Sequence, residues 1–547
     1  MSGADRRGYA VGVDFGTESG RSVLLDLSTG EEVAAATVPY PHGVLDRELP
    51  STGEALPPDW ALQDPEDWIG VLEIAVPAVV TEAGVDPTQV VGLGVDFTSC
   101  TVLPVDADGT PMCKVSRWRG RGHAWPKLWK HHAAQPVADR LNEVALERGE
   151  DFLSRYGGRI SSEWYFPKLL ELWLEDRELY DEAYAFIEAT DWIVWWLTGR
   201  ECRQACTAGY KALWSPDEGL PSREYFQAAY PGFNTPAQKL GRSFLPLGTR
   251  AGGLRPEAAG AIGLPDAVAV AVGNVDSFVS VPGCGVDQPG TYVMVVGTSI
   301  CDMVVDPREV RLPGITGVMR DGILPRLYGY EAGQVAVGDM LAWFSHILAS
   351  DAGGLPALEG EAARIGPGET GLAVLDWWNG NRSILADADV SGVICGLTLQ
   401  SSREQIYRAL LEAIAFGNRR IIDNFIEHGL ELERIVACGG IAERSPVLMQ
   451  LFADTSGLPV HVPASSQIPA RGSALFGAVA AGAYESIGAA ITATRPSIAT
   501  TYHPVRAAKL IYDEVYVIHR RLYELLGRAE VGLLHGLKRV RNERSLA

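Results

Sequence analysis

The chain has 547 residues, 47% of them apolar, and its 47 basic and 68 acidic residues give a net charge of −21. That length exceeds one domain and that apolar content fills more than one core, while so acidic a surface repels phosphate backbones and excludes nucleic acid as a partner class. The first ten residues hold no apolar signal core and no apolar run reaches the ~18 residues of a membrane span, so the sequence expects a soluble, cytoplasmic protein with no membrane partner.

In chain order, residues 11–25 (VGVDFGTESGRSVLL) read as a hairpin of two buried strands with Asp14 at its mouth. Gly16 lets the backbone approach a bulky anion, and the Thr17 hydroxyl and neighbouring N–H groups can donate to phosphate oxygens. A carboxylate there would reach an anion through a divalent cation. Residues 31–40 add a strand and residues 41–58, rich in Pro and Gly, a loop. Asp64 suits a helix N-cap, followed by Pro65 and a core stripe of Trp68, Val71, Leu72 and Ala75.

A strand over residues 90–95 is expected to break at Asp96, Phe97, Thr98 and Ser99, polar groups at a strand end suited to a small polar ligand, and to resume at residues 101–105. Trp118 and Arg119, then KLWKHHAAQ at residues 127–135, add aromatic and cationic side chains. Adjacent His131 and His132 would diverge on a helix, which argues against a shared metal and for surface or substrate-loop roles. Short helices are expected over residues 166–175 and 188–199, the second stopped by Gly199. Lys211, in CTAGYKALW, either snorkels to solvent or faces a polar cleft. Cys202 and Cys206, the closest of eight scattered cysteines, have no histidine beside them, so reduced thiols are expected and not zinc or disulfides.

A Gly- and Pro-rich loop suggests a domain boundary near Pro265, dividing the chain into residues 1–265 and 266–547. A buried strand then runs into Asn274 and Asp276. Residues 291–306 (TYVMVVGTSICDMVVD) repeat the first hairpin, with Gly297 and Thr298 in the places of Gly16 and Thr17, half a chain away. Glu331 is expected just after a strand, and residues 402–427 form a helix with a core stripe through Leu411, Ile414 and Phe425. A strand over residues 434–437 leads to Gly439 and Gly440, which open a helix and allow close approach of a flat base or phosphate. Residues 469–478 (PARGSALFGA) read as a small-residue helix for packing alone, and the basic run Lys538, Arg539, Arg541, Arg544 as a solvated helix end.

No GxxxxGK(S/T) occurs and no GxGxxG follows a strand, which removes P-loop and dinucleotide-binding enzymes. Two Gly-Thr hairpins, a Gly-Gly turn and acids at strand ends point instead to phosphoryl transfer from a nucleoside triphosphate, a chemistry of positioning and charge neutralisation.

The motifs DFGTESGR, GVDFTSCTVLP, LWKHHAAQ, ISSEW, ATDWIVW, CTAGYKA, GNVDS and PARGSALFGA together resemble the sugar kinases of the FGGY family. The resemblance covers essentially the whole chain; DFGT is widely shared, LWKHHAAQ and CTAGYKA far more specific. It departs at Arg119 and Gly120, where the family pattern leads one to expect Lys-Asp. It implies an α/β fold of two duplicated ribonuclease-H-like domains of the actin and hexokinase superfamily around an interdomain cleft, the N-terminal one binding sugar and the C-terminal one ATP. It further implies Asp276 as catalytic base and Asp14 as the Mg2+-linked acid. Gly16, Thr17, Gly297 and Thr298 become phosphate turns, and Gly439 and Gly440 the adenine side. Lys211, Asp276 and Glu331, with Asp96, Phe97 and Thr98, would hold a ketopentose, L-ribulose, in L-arabinose breakdown. Another kinase of the family, acting on a sugar such as xylulose, and an ATPase of the chaperone or actin kind are the alternatives, and a homodimer is left open.

Overall fold

The computed structural model describes residues 8–348 and 354–545; the start of the chain, read above for a signal core, lies up to residue 7 outside them. The first hairpin is β1 (Tyr9–Phe15) and β2 (Ser19–Asp26), antiparallel with Asp14 opposite Arg21. β3 (Glu32–Pro39) pairs with β2 at the edge, where its burial alternates as one solvated face requires. Helix α1 (Pro65–Glu82) packs on this hairpin; Asp64 caps it by accepting from Glu66 N at 2.9 Å, and Trp68, Val71, Leu72 and Ala75 are buried as the stripe demands. β4 (Val90–Phe97) lies parallel to β1 on its other side and runs through Asp96 and Phe97, with Asp96 opposite Asp14. The strand was expected to stop before Asp96. It continues because β1 offers a parallel partner as far as Phe15.

Between β4 and the next strand of the sheet lies an insertion with its own aromatic core, built on Trp118, Trp125, Trp164, Tyr165 and Phe166. It includes α2 (Tyr165–Glu175), α3 (Ala189–Thr198) and α4 (Ala205–Lys211). The Arg119 and Gly120 departure sits on its surface beside a buried Trp118, which the Arg117 and Arg121 guanidinium groups cover at 4.3 and 4.6 Å. β5 (Arg250–Gly253), β6 (Ala269–Ala271) and the short β7 (Asn274–Val275) then complete the first sheet, in the order β3-β2-β1-β4-β6-β5 with β7 beside the end of β4. The chain beyond Pro265 therefore still contributes two strands to that sheet. At Asp276 it turns into α5 (Asp276–Gly283).

The second sheet repeats this plan. β8 (Gly290–Val296) and β9 (Ile300–Asp306) form the hairpin, β10 (Gly317–Arg320) and β11 (Tyr328–Gln334) extend its antiparallel side, and β12 (Leu432–Cys438), β13 (Val460–Pro463) and β14 (Ile498–Tyr502) the other. Its order is β10-β11-β9-β8-β12-β13-β14, with β12 parallel to β8 as β4 is to β1. Between β11 and β12 run α6 (Gly338–Leu348) and α7 (Arg403–Glu427), the latter started by a Ser402 and Gln405 capping box. A five-residue helix, α8 (Gly440–Arg444), follows β12. Among the described residues no helix is long and apolar enough to cross a membrane.

One helix crosses between the halves. α9 (Ile468–Ala480), contributed by the C-terminal half, packs on β1 and β4 of the first sheet and against α5. It comes so close that a Cβ on Gly94 would overlap the Ser473 carbonyl oxygen. Expected as packing alone, α9 also brings polar chemistry, because the Ser473 hydroxyl donates to Asp96 Oδ2 at 2.5 Å.

Gly94→Ala is accordingly expected to lower the urea-unfolding free energy by about 1–3 kcal/mol. Gly70→Ala, at a helical position with nothing within 4 Å of the added methyl, should be neutral or stabilising; equal effects at both positions would show that the contact with α9 is not the cause.

Candidate active site

The ends of β1, β4 and β7 place three carboxylates together. Asp14 is 3% exposed and Asp96 is fully buried, while Asp276, at the first turn of α5, keeps part of its surface open with protein crowding it elsewhere. Arg21, opposite Asp14 in the hairpin, donates to Asp14 Oδ2 at 2.9 Å, and that charge, outweighing the cost of burial, raises the Arg21 pKa. Burial and then the Asp14 charge push the Asp96 carboxyl well above its ordinary range, only partly offset by Ser473. Asp276 is pushed up to about 7, again by burial first and Asp14 second. Two carboxyls reluctant to ionise, side by side at this end of the sheet, are the result. Asp96 Oδ1, buried, has no protein partner.

The two hairpin turns share a length but differ in closure, the first bonded across three positions and the second across two. Each spans three residues, with Gly16 N donating to Ser19 O at 3.0 Å and Gly297 N donating to Ser299 O at 2.9 Å. Thr17 is buttressed from the N-terminal half: its carbonyl accepts from Gln63 Nε2 at 2.8 Å and its hydroxyl from Trp129 Nε1 at 3.0 Å. Thr298 is exposed, and its carbonyl takes the N–H groups of Val337 and Gly338 at 2.9 and 3.0 Å, setting the start of α6 against the turn. Gly439, at φ 94°, lies so close to Val296 that only glycine fits, and Gly440 beside it is exposed. The second Gly-Thr turn, the Gly-Gly turn and the N-terminus of α6 thus share one neighbourhood.

Lys211, at the end of α4, does not reach solvent. It is 4% exposed, and its Nζ donates to Glu331 Oε2 at 2.5 Å, joining the two halves of the chain. Burial depresses an ammonium, but the Glu331 charge, the Cys100 thiol and the hydrogen bond to Glu331 together more than restore it, leaving the Lys211 pKa raised. Glu331 lies within β11 and not after it, because β11 continues to Gln334 between β9 and β10. Thr98 is tied to the Thr101 hydroxyl at 2.8 Å. The Phe97 ring stacks on Phe15 at 5.1 Å and is 1% exposed, so only its backbone is free to meet a ligand.

His131 corrects the sequence reading, whereas the His132 side chain is 43% exposed, as expected. Both lie in irregular chain between two turns, and His131 is fully buried, its Nε2 about 3.0 Å from Glu171, whose other partner is the buried Lys127. Burial holds the His131 pKa down to about 3, so the ring is neutral and structural. His132 alone lies nearer the cleft, 3.9 Å from Glu163. Sequence reasoning missed Gln63, Trp129, Glu163, Arg382 and Ser473; among the quoted motifs, LWKHHAAQ, ISSEW and PARGSALFGA flagged the neighbourhoods of Trp129, Glu163 and Ser473. A cavity of about 300 Å³ lined by Trp192, Trp195, Trp196 and Arg255 lies elsewhere and is lined by none of the candidate residues.

In the unliganded protein, Asp276 labelled for carboxyl NMR should titrate near 7. Asp14→Asn should move that midpoint down, since removing a neighbouring negative charge eases ionisation; an unmoved midpoint would leave burial as the sole cause.

Comparison with known proteins places the chain. The family model of the FGGY carbohydrate kinases, N-terminal domain, matches residues 9–283, and the C-terminal domain model matches residues 292–481. The ribulokinase of Geobacillus thermodenitrificans is 48% identical over 97% of this chain and 96% of its own length, and that of Mycolicibacterium smegmatis 43% identical over 95% and 94%. Solved structures of a xylulose kinase from Rhodospirillum rubrum and a glycerol kinase with ADP from Plasmodium falciparum superpose with TM-scores of 0.78 and 0.76 at 24% and 16% identity. They cover 96% and 94% of this chain and 100% and 98% of theirs, a likeness of fold.

Proposed function

The chain belongs to the FGGY family of carbohydrate kinases, and from that premise we propose that it transfers the γ-phosphoryl group of ATP to the terminal hydroxyl of L-ribulose, giving L-ribulose 5-phosphate in the breakdown of L-arabinose. It is an enzyme of two duplicated ribonuclease-H-like domains. The choice of sugar rests on the full-length similarity to ribulokinases. The choice of chemistry rests on one observation, Asp276 poised near neutrality at a helix start beside Asp14.

In this reading Asp276 takes the proton of the attacking hydroxyl, for which a carboxylate with a pKa near the working pH is suited. Lys211 and Glu331 orient the ketopentose through its other hydroxyls, while the backbones at Gly16, Thr17, Gly297 and Thr298 hold phosphate oxygens and Gly439 and Gly440 flank the adenine. The Phe97 side chain drops from the sugar contacts, and Asp96 passes from the sugar to the metal side. Mg2+ fits the donor set. Asp14 and Asp96, with an unsatisfied buried oxygen on Asp96, would hold it together with ATP oxygens and water, since Mg2+ takes one or two carboxylates and not a protein cage. Bound there, the ion would neutralise charge on the transferring phosphoryl group. Because β6 and β7 belong to the first sheet, we divide the domains after α5, between residues 283 and 292. A cytoplasmic location accords with the use of ATP.

A coupled ADP-release assay on the four 2-ketopentoses should show the highest kcat/KM with L-ribulose; preference for D-xylulose, or ATP hydrolysis indifferent to sugar, would replace this reading. Asp276→Asn should lose about 10²–10⁴-fold in turnover while still binding ATP, and wild-type kcat/KM for the sugar should fall tenfold per unit below pH about 7. Lys211→Ala and Glu331→Gln should raise the KM for L-ribulose and leave that for ATP nearly unchanged. Equal losses for both substrates would assign the pair to domain bridging alone.

A further inference from the structure

A second ion pair crosses between the halves beside Lys211 and Glu331. Arg382, from the C-terminal half, donates through Nη2 to Glu163 Oε1 of the insertion at 3.5 Å, each side chain 19% exposed. The contrast with the first pair is informative. Lys211 and Glu331 are 2.5 Å apart and nearly sealed, whereas Arg382 and Glu163 meet through one long bond and keep a fifth of their surface open. A guanidinium has five N–H donors and a carboxylate room for several acceptor bonds. Two opposite charges held this close, with capacity unspent, suit a group that both donates and accepts: a hydroxyl.

The segment carrying Arg382 is fixed, so the reach is built in. Ser383 Oγ accepts from Gly333 N at 3.2 Å, two residues along β11 from Glu331. On the far side, Arg159 Nη1 of the insertion donates to Ala386 O at 2.9 Å. Asn381 Oδ1 accepts from Leu385 N at 2.9 Å and closes the turn between. Residues 381–386 therefore strap the second sheet to the insertion, with the Arg382 guanidinium held toward the residues around Lys211. Cys301 and Glu331 from the second sheet, and Glu163 and Cys100 from the first half, feel its charge, and Lys211 and His132 face Glu163 as well.

We propose that Arg382 and Glu163 are a second polar contact for the ketopentose, a sugar hydroxyl lying between them, donating to Glu163 and accepting from Arg382. The pair then reads the sugar's stereochemistry from the wall opposite the reacting end, while Lys211 and Glu331 hold it nearer Asp276. This rests on the sugar-kinase reading above.

The test is steady-state kinetics of Arg382→Met, Arg382→Lys, Glu163→Gln and the Arg382→Met/Glu163→Gln double variant, with L-ribulose, D-ribulose and ribitol as acceptors. Loss of a charged hydrogen bond should raise the KM for L-ribulose about tenfold in each single variant and leave the KM for ATP within twofold. Preference for L- over D-ribulose should narrow. Arg382→Lys should recover part of the loss, and the double variant should lose no more than the worse single one, because both remove one shared contact. Unchanged sugar KM values, or sugar and ATP KM values rising by the same factor with a lower melting temperature, would overturn the proposal and leave the strap a purely structural bridge. The two levels of inference separate cleanly. Wild-type turnover across acceptors judges the sugar-kinase reading, and the variant-to-wild-type KM ratio on whichever acceptor turns over best judges the pair.

Discussion

Everything else in the molecule is arranged around three like charges that would not choose each other's company. Asp14, Asp96 and Asp276 end adjacent segments in a nearly dry space, where mutual repulsion and lost hydration both oppose ionisation. The fold tolerates them by giving each a different compensation: Arg21 from the neighbouring strand for Asp14, Ser473 from the far half of the chain for Asp96, and the first N–H groups of α5 for Asp276, with Ser277 N at 2.7 Å. Such unequal support leaves Asp96 with its pKa well above the ordinary carboxylate range and Asp276 balanced near neutrality.

The duplicated sheets supply the geometry for two substrates. Each hairpin presents a three-residue turn at the same place in the strand order, so one backbone device is delivered twice. The halves differ in what surrounds the turn. The first is followed by an insertion that carries Lys211 and Glu163, the second by helices that bring Gly338 and Gly439 together. Bridges between the halves lie on both sides: Lys211 meets Glu331, Arg382 meets Glu163 and Arg311 meets Asp151 at the insertion, while Arg471 meets Glu32 and Ser473 meets Asp96 at α9.

Local signals in the sequence carried far. The hairpins, the Asp64 cap, the Gly199 stop and the long core helix depend on residues a few positions apart, and all four lie where periodicity and turn chemistry put them. What stayed hidden depends on residues hundreds of positions apart. Nothing in PARGSALFGA says that Ser473 will meet Asp96, because the helix pattern encodes small residues and not the sheet they approach. His131 looked like a surface residue because its partners, Lys127 and Glu171, sit on different segments and become one buried cluster only after folding. Lys211 was ambiguous for the same reason, its acid lying 120 positions away.

The crossing of α9 bears on how the molecule is made. The face of β1 and β4 that it covers consists of glycines and buried aliphatic residues, shaped to a helix that begins at Ile468. Synthesis proceeds from the N-terminus, so the first sheet can pair its strands early but stays bare on one side until nearly the whole second half has been translated. During that interval an apolar surface and the Asp96 carboxyl both wait without their partners. The N-terminal half is thus an incomplete folding unit, and its maturation is timed by the ribosome's progress through a segment more than 370 residues downstream of β4.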